Sequence, residues 1–158
     1  MKSFASLALV FVVLSLWKGT NTGVIYKCEP LKIKTCADLG YNATVFPNFA
    51  KHRSQQEAQQ TIKTLQPLLD SGCSKDLIYF ICSYYVPVCT SYSIMVPPCR
   101  RMCKTVKASC SKKMIELFKR AKWPKELNCN KFPKQAKQSV CFGRNRQAKS
   151  SKSSTSFS

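Results

Sequence analysis

The sequence predicts a small, mainly α-helical, disulfide-rich domain with a minor β element. Ten cysteines are spread over 158 residues. Helical periodicity recurs between them, and strand-like character is confined to short stretches near the first cysteines. At about 100–200 residues per domain, this length holds one domain with short ends.

Residues 4–17, FASLALVFVVLSLW, form an uncharged apolar run behind Met1-Lys2-Ser3. A membrane span needs roughly 20 such residues, so the run reads as the core of a secretory signal peptide. Cleavage is expected within 18–23, which makes 1–23 the leader and 24–143 the domain. Residues 144–158, RNRQAKSSKSSTSFS, are basic, Ser-rich and nearly free of apolar side chains. Such a tail buries too little surface to offset its chain entropy and is expected to be disordered. No later run approaches a transmembrane segment, so the expected product is secreted and extracellular. The cysteines, at 28, 36, 73, 82, 89, 99, 103, 110, 129 and 141, all follow the leader. Their number fits the oxidising secretory pathway. Ten cysteines allow ~945 complete pairings, nine times the 105 of eight, so counting alone leaves the connectivity open. A zinc site would need C-x2-C knuckles or Cys/His sets. Only Cys99 and Cys103 come close, at C-x3-C, and the one histidine is His52. No metal and no cofactor are expected.

In chain order, residues 29–35 and 43–49 have extended or strand-like character. Ser54-Gln55-Gln56-Glu57 is a capping box, in which the serine accepts from an early N–H and the glutamate reaches back to the serine's own N–H. Behind it Ala58, Ile62, Leu65 and Leu69 form one apolar stripe, which Pro67 should kink or end. A second helix is expected over Ser74–Tyr85, with Leu77, Ile78, Ile81 and Tyr85 spaced for burial and Pro87 closing it. Pro97-Pro98 can start a third, because proline's missing N–H costs nothing in a first turn. Cys99, Cys103 and Cys110 share about one face of that helix. A fourth, Ser111–Arg120, places Met114 and Phe118 at i, i+4 and stops before Trp123-Pro124.

Charge is lopsided. Residues 24–98 carry seven basic and five acidic side chains, net +2, while 99–149 carry sixteen and two, net +14. Such a field attracts polyanions. Secretion weighs against nucleic acid and points to heparan sulfate or an anionic membrane surface. The candidate contacts are Arg100, Arg101, Lys104 and Lys107 on the third helix, and Lys112, Lys113, Lys119, Arg120 and Lys122 on or after the fourth. The plainer alternative is that excess lysine keeps the protein soluble. Enzymatic chemistry is not expected. His52 lies in the polar string KHRSQQE, is followed by Arg53 rather than an acid, and has no Gly-rich calcium loop beside it.

The cysteine intervals of 7, 36, 8, 6, 9, 3, 6, 18 and 11 residues combine with YNATVFPN (41–48), CSKDLIYFICSYYVPVC (73–89), PPCRRMC (97–103), WP (123–124) and NCNKFP (128–133). This series resembles the Frizzled cysteine-rich domain, and the resemblance covers the whole stretch from Cys28 to Cys141. It implies a mostly helical fold with a small β element near the N-terminus. It also implies the pairs Cys28–Cys89, Cys36–Cys82, Cys73–Cys110, Cys99–Cys141 and Cys103–Cys129. Asn42-Ala43-Thr44 is an N-x-[ST] acceptor for glycosylation, in a segment similar to the family's glycosylated one.

What the resemblance implies about function is recognition of acylated Wnt proteins, with the acyl chain in an apolar groove and a separate surface on the Wnt protein itself. The positions matching that groove are Thr64, Leu65, Pro67 and Tyr84, with Phe118 and Phe142 as further candidates. The chain departs from the family pattern there. Thr64 and Leu65 stand where an amide and an aromatic are usual, and Tyr84 is bulkier than the methionine of many receptors. Thr90 is polar where several relatives are apolar. A leader and this domain, with neither seven membrane helices nor a netrin-like domain, resemble a stripped secreted Frizzled-related protein. The implied role is a Wnt-binding modulator acting as a decoy antagonist. Frizzled receptors or a second copy of the chain are further candidate partners. The alternatives are a heparan-sulfate or anionic-surface binder and a free fatty-acid or sterol carrier.

Overall fold

The computed structural model describes residues 27–119, 122–134 and 139–143. The expected leader, the expected tail and Arg120 lie outside the described residues.

The chain opens with β1 (Cys28–Pro30), a 3-10 turn at Lys34–Cys36, and β2 (Ala43–Val45), which pairs antiparallel with β1 so that Cys28 faces Val45. Both strands are shorter than the extended stretches expected at 29–35 and 43–49. Ile33 and Cys36 are both buried, at 2% and 0% exposure. A spacing of three cannot put two side chains on one face of a strand, whose period is two, so the chain turns there.

α1 (Gln55–Thr64) starts at the capping box: Ser54 Oγ accepts from the Glu57 N–H at 3.3 Å. The return arm differs from expectation, since the Glu57 carboxylate accepts from the Arg53 N–H at 3.0 Å, one residue early. α1 stops at Thr64 and α2 (Gln66–Asp70) resumes after Leu65, with Pro67 in its first turn. Proline has no N–H for the carbonyl four residues back, which ends one helix and suits the start of the next. α3 (Leu77–Tyr85) begins three residues later than expected. Ser74 instead makes the lead-in turn, its hydroxyl oxygen accepting from the Asp76 N–H and its carbonyl from the Leu77 N–H.

α3 reads LIYFICSYY, apolar on nearly every side, and Leu77 and Phe80 to Tyr85 are buried. A helix of that kind has to be covered all round. α1, α4 and the Lys34–Cys36 turn contact it. The chain then forms β3 (Val88–Cys89) and β4 (Met95–Val96), completing a four-stranded antiparallel sheet in the order β1-β2-β3-β4. No local pattern announces these two strands, whose two residues each are too few to show alternation.

The largest correction concerns the next segment. The helices expected to start at Pro97-Pro98 and at Ser111 are one continuous α4 (Arg100–Phe118), 19 residues long with Cys99 as its N-cap. No glycine or proline interrupts it. Ser111, which resembles a cap, sends its hydroxyl back to the Lys107 carbonyl at 2.6 Å, a bond available inside a continuing helix. Met102, Cys103, Val106, Cys110 and Met114 form its buried face. α4 ends at Lys119, which is left-handed at φ 52°. Two 3-10 turns follow, Lys125–Leu127 and Cys129–Lys131.

Five disulfides, Cys28–Cys89, Cys36–Cys82, Cys73–Cys110, Cys99–Cys141 and Cys103–Cys129, join these elements. They are the pairs that the family resemblance implies. Three of the five reach α4 or its N-cap. Beside Cys99–Cys141, the Cys99 N–H donates to the Phe142 carbonyl at 2.8 Å and the Phe142 N–H to the Pro97 carbonyl at 2.7 Å.

Continuity of α4 sets a test. Ser111→Pro removes an interior helix N–H and pushes the ring against the preceding turn, so it should cost about 3 kcal/mol or more. A separate helix beginning at Ser111 would accept proline in its first turn. Urea unfolding of the disulfide-intact protein separates the two outcomes by a large drop in midpoint or none.

Candidate functional site

The loop before α1 is shaped by one buried amide. Asn48 Oδ1 accepts from the N–H groups of Ala50 and His52, both at 2.9 Å. Its Nδ2 donates to the Tyr85 carbonyl at 2.6 Å and faces His52 Nδ1 at 3.2 Å. Asparagine suits the place because its side chain can close a turn on the backbone two residues ahead. Lys51 completes the turn in the left-handed region, at φ 66°. His52 packs its ring on Tyr85, with centroids 5.6 Å apart, and its Nε2 lies 3.5 Å from Thr61 Oγ1. The single histidine is thus a packing residue that holds a loop.

That loop presents Phe49 to Tyr84. The two rings stack with centroids 6.1 Å apart, and Phe132 meets Tyr84 edge-on at 5.9 Å. The Tyr84 hydroxyl faces the carbonyls of Phe49 and Glu126 at 3.4 and 3.3 Å, so it joins the loop to the Lys125–Leu127 turn. Around this cluster lies an open cavity of about 430 Å³, lined by Phe49, Ala50, Lys51, Tyr84, Pro97, Glu126 and Lys131 to Pro133. Its size falls in the usual range of small-molecule sites, about 300–1,000 Å³. The wall is aromatic and prolyl, while Lys51, Glu126 and Lys131 are exposed.

Of the six expected groove residues, Tyr84 alone lines this cavity. Thr64 is exposed at the end of α1, with its hydroxyl donating to the Thr61 carbonyl at 2.7 Å. Leu65 is half-buried at the α1–α2 bend and packs on the core, and Pro67 is exposed in α2. α2 packs against α4, whose last turn carries half-buried Phe118. Phe142 belongs to a different aromatic group, edge-on to Tyr41 at 5.5 Å and stacked with Tyr79 at 6.5 Å. The expectations therefore fall at four places: the α1–α2 bend, the end of α4, the Tyr84 cavity and the Phe142 cluster. Phe49, Phe132 and Pro133 are lining residues that sequence reasoning missed. The last two lie in NCNKFP, where an apolar pair next to a half-cystine is the available signal.

The basic residues also sort differently from expectation. Arg100 is removed from the exposed set: its Nε donates to the Phe132 carbonyl at 2.8 Å and its Nη2 to the Asn130 carbonyl at 2.9 Å. It clamps the cavity wall. Lys113 pairs with Glu116 at 2.9 Å. Arg101, Lys104, Lys107, Lys112, Lys119 and Lys122 are exposed.

Two tyrosines are held protonated. Burial raises Tyr41 well above the ordinary phenol value of 10.0, and its hydroxyl donates to the Val86 carbonyl at 2.9 Å. Tyr84 is raised by burial first and then by the Glu126 carboxylate.

Among the described residues no group of His, Cys, Asp and Glu is arranged to hold a metal ion, and no helix is long and apolar enough to cross a membrane. The fold is a disulfide-locked, mainly helical domain with a small antiparallel sheet. The Fz domain family model matches residues 28–136. The chain belongs to that family, the Frizzled cysteine-rich domains. It is 38% identical over 129 residues to Frizzled of Drosophila melanogaster, covering 82% of this chain and 22% of that protein. It is 43% identical over 110 residues to human Frizzled-4, covering 69% of this chain and 20% of that protein. The chain thus spans about a fifth of the length of these relatives. Among solved structures it is similar to the Smoothened cysteine-rich domain, with TM-score 0.54 and 26% identity over 70% of this chain and 95% of that one. The Xenopus Smoothened domain in complex with cyclopamine matches at TM-score 0.53 and 26% identity, over 68% and 95%.

The tyrosines fix the sign of a pH dependence. An unfolded chain loses phenolic protons first, so stability is full below the ordinary value of 10.0 and falls as pH rises toward the raised folded values. Denaturant midpoints across that range should decline, and Tyr41→Phe should flatten the decline. A midpoint that holds steady there would contradict the burial of both phenols.

Proposed function

We propose that the chain is a secreted module that captures lipid-modified Wnt proteins through apolar surface and modulates Wnt signalling as a decoy antagonist. The observation that carries this reading is the Fz domain match across residues 28–136, together with kinship to Frizzled proteins. The physical chemistry suits it. Each buried methylene is worth about 0.8 kcal/mol, so an acyl chain of about fourteen methylenes supplies ~11 kcal/mol at most, enough to dominate affinity with few polar contacts. The α1–α2 bend, with Thr64, Leu65 and Pro67, is the proposed acyl contact. A domain that binds ligand away from the receptor lowers free ligand by mass action.

A second reading, a free fatty-acid or sterol carrier, is favoured by the aromatic Tyr84 cavity and by the related domain that holds cyclopamine. The Asn42 side chain is exposed, which supports Asn42 as a glycan acceptor.

Biosensor titration of the full chain against a Wnt with and without its acyl group tests the first reading. Binding should require the acyl group. Pro67→Asp, at an exposed position, should weaken it about ten-fold or more, a loss of about 1.4 kcal/mol. Absence of binding to either form at micromolar concentration overturns the proposal. If Ala50→Trp, which fills the Tyr84 cavity, abolishes binding while Pro67→Asp does not, the acyl contact belongs in that cavity. Mass spectrometry of protein from a secreting host, with Asn42→Gln as reference, should show a glycan mass that the variant lacks.

A further inference from the structure

Because α4 is one helix, basic residues that the sequence divides between two elements stand on a single rigid rod. Its buried face is set by Met102, Cys103, Val106, Cys110 and Met114. At about 100° per residue, Arg101, Lys104, Ala108, Lys112 and Ile115 fall on the opposite side. All five are exposed, and exposed Lys119 follows at the cap. From Arg101 to Lys119 the rise is about 27 Å at ~1.5 Å per residue. The helix has one acidic residue, Glu116, and Lys113 is paired with it. Arg101 and Lys104, and Lys104 and Lys107, are like-charged neighbours at i, i+3, a spacing that destabilises a helix standing alone. Cys73–Cys110 and Cys103–Cys129 hold the rod in place against that repulsion.

We propose that this outward face of α4 is a docking surface for a sulfated glycosaminoglycan chain. A linear polyanion matches a straight, outward face that carries Arg101, Lys104, Lys112 and Lys119 on a backbone already fixed. An anionic membrane fits less well. A helix that lies in a lipid surface buries a broad apolar face there. The broad apolar face of α4 is spent on the protein core, leaving only Ile115 and Leu117 as exposed large apolar side chains on the helix. Arg100 has no part in the surface, since its guanidinium is turned onto the Phe132 and Asn130 carbonyls. The proposal does not rest on the Wnt reading and concerns a different face from the Tyr84 cavity.

The test compares two triple variants of the full chain on immobilised heparan sulfate at near-physiological salt. One carries Arg101→Gln, Lys104→Gln and Lys112→Gln. The other, Lys32→Gln, Lys34→Gln and Lys63→Gln, removes the same charge from exposed positions elsewhere. The α4 triple should lose about ten-fold or more in affinity and the other much less, because local field rather than net charge governs docking. Equal losses, no binding by the unaltered chain, or tighter binding to phosphatidylserine vesicles at the same salt would each overturn the proposal. Should the α4 triple fail to fold, Lys112→Glu alone replaces it, with the same outcomes required.

Discussion

The constraint on which the rest of this domain depends is that α3 has no face to give to water. Among the described residues Leu77–Tyr85 is the helix buried almost all round, and α1, α4 and the Lys34–Cys36 turn are its cover. Cys82, on α3 itself, binds the Lys34–Cys36 turn beside it. Cys89, just beyond its end, binds β1. Cys73, just before its start, binds α4. The core helix and its flanks therefore spend three of the five bridges on attaching cover. A domain of this size buries a limited share of its surface, and each native bridge adds about 2–5 kcal/mol. That also explains why helices as short as α2, five residues, persist here.

Much of this was legible because it depends on neighbours in sequence. The capping box at Ser54–Glu57, the break at Pro67 and the end of α3 before Pro87 are local chemistry, and they stand within a residue or two of where that chemistry puts them. Where reading stopped, the deciding contacts were distant or ambiguous. Ser111 has the chemistry of a cap and of a back-bonded interior serine alike, and only the continuing helix chooses between them. The 29–35 stretch alternates Leu31 and Ile33 with Lys32 and Lys34 as a strand would, but burial of Ile33 with Cys36 requires a turn. β3 and β4 exist because β2 offers Thr44 to Val88, a partnership 44 residues apart.

The Tyr84 cavity was illegible for the same reason. Its walls come from residues 49–51, 84, 97, 126 and 131–133, which no periodicity connects. What gathers them is a chain of polar contacts that ends on backbone. Asn48 fixes the loop, Tyr84 bridges the Phe49 and Glu126 carbonyls, and Arg100 clamps the strand of chain that bears Phe132. Each is a buried or half-buried polar group whose partner is main chain, so a substitution leaves an unpaired carbonyl or N–H behind and costs more than the lost contact alone. A pocket wall supported this way holds its shape without a ligand, which favours binding by avoiding the entropy of ordering on contact.

Arg100 and Arg101 show how the domain separates structure from surface with adjacent residues of one type. A guanidinium can clamp two carbonyls because its donors are planar and fixed, and Arg100, on the first turn of α4, lies within reach of Phe132 and Asn130. Arg101 is rotated by about 100° and faces outward. The same rotation divides the rest of the helix, with half-cystines and methionine inward and lysines outward. Among the described residues Lys113–Glu116 is the ion pair on α4, so repulsion along the outer row is largely unrelieved there, and the covalent bridges on the inner row are what allow it. Cys73–Cys110, which secures α4 as α3's cover, therefore also makes a concentrated cationic face tolerable, and the two properties would be lost together if it were removed.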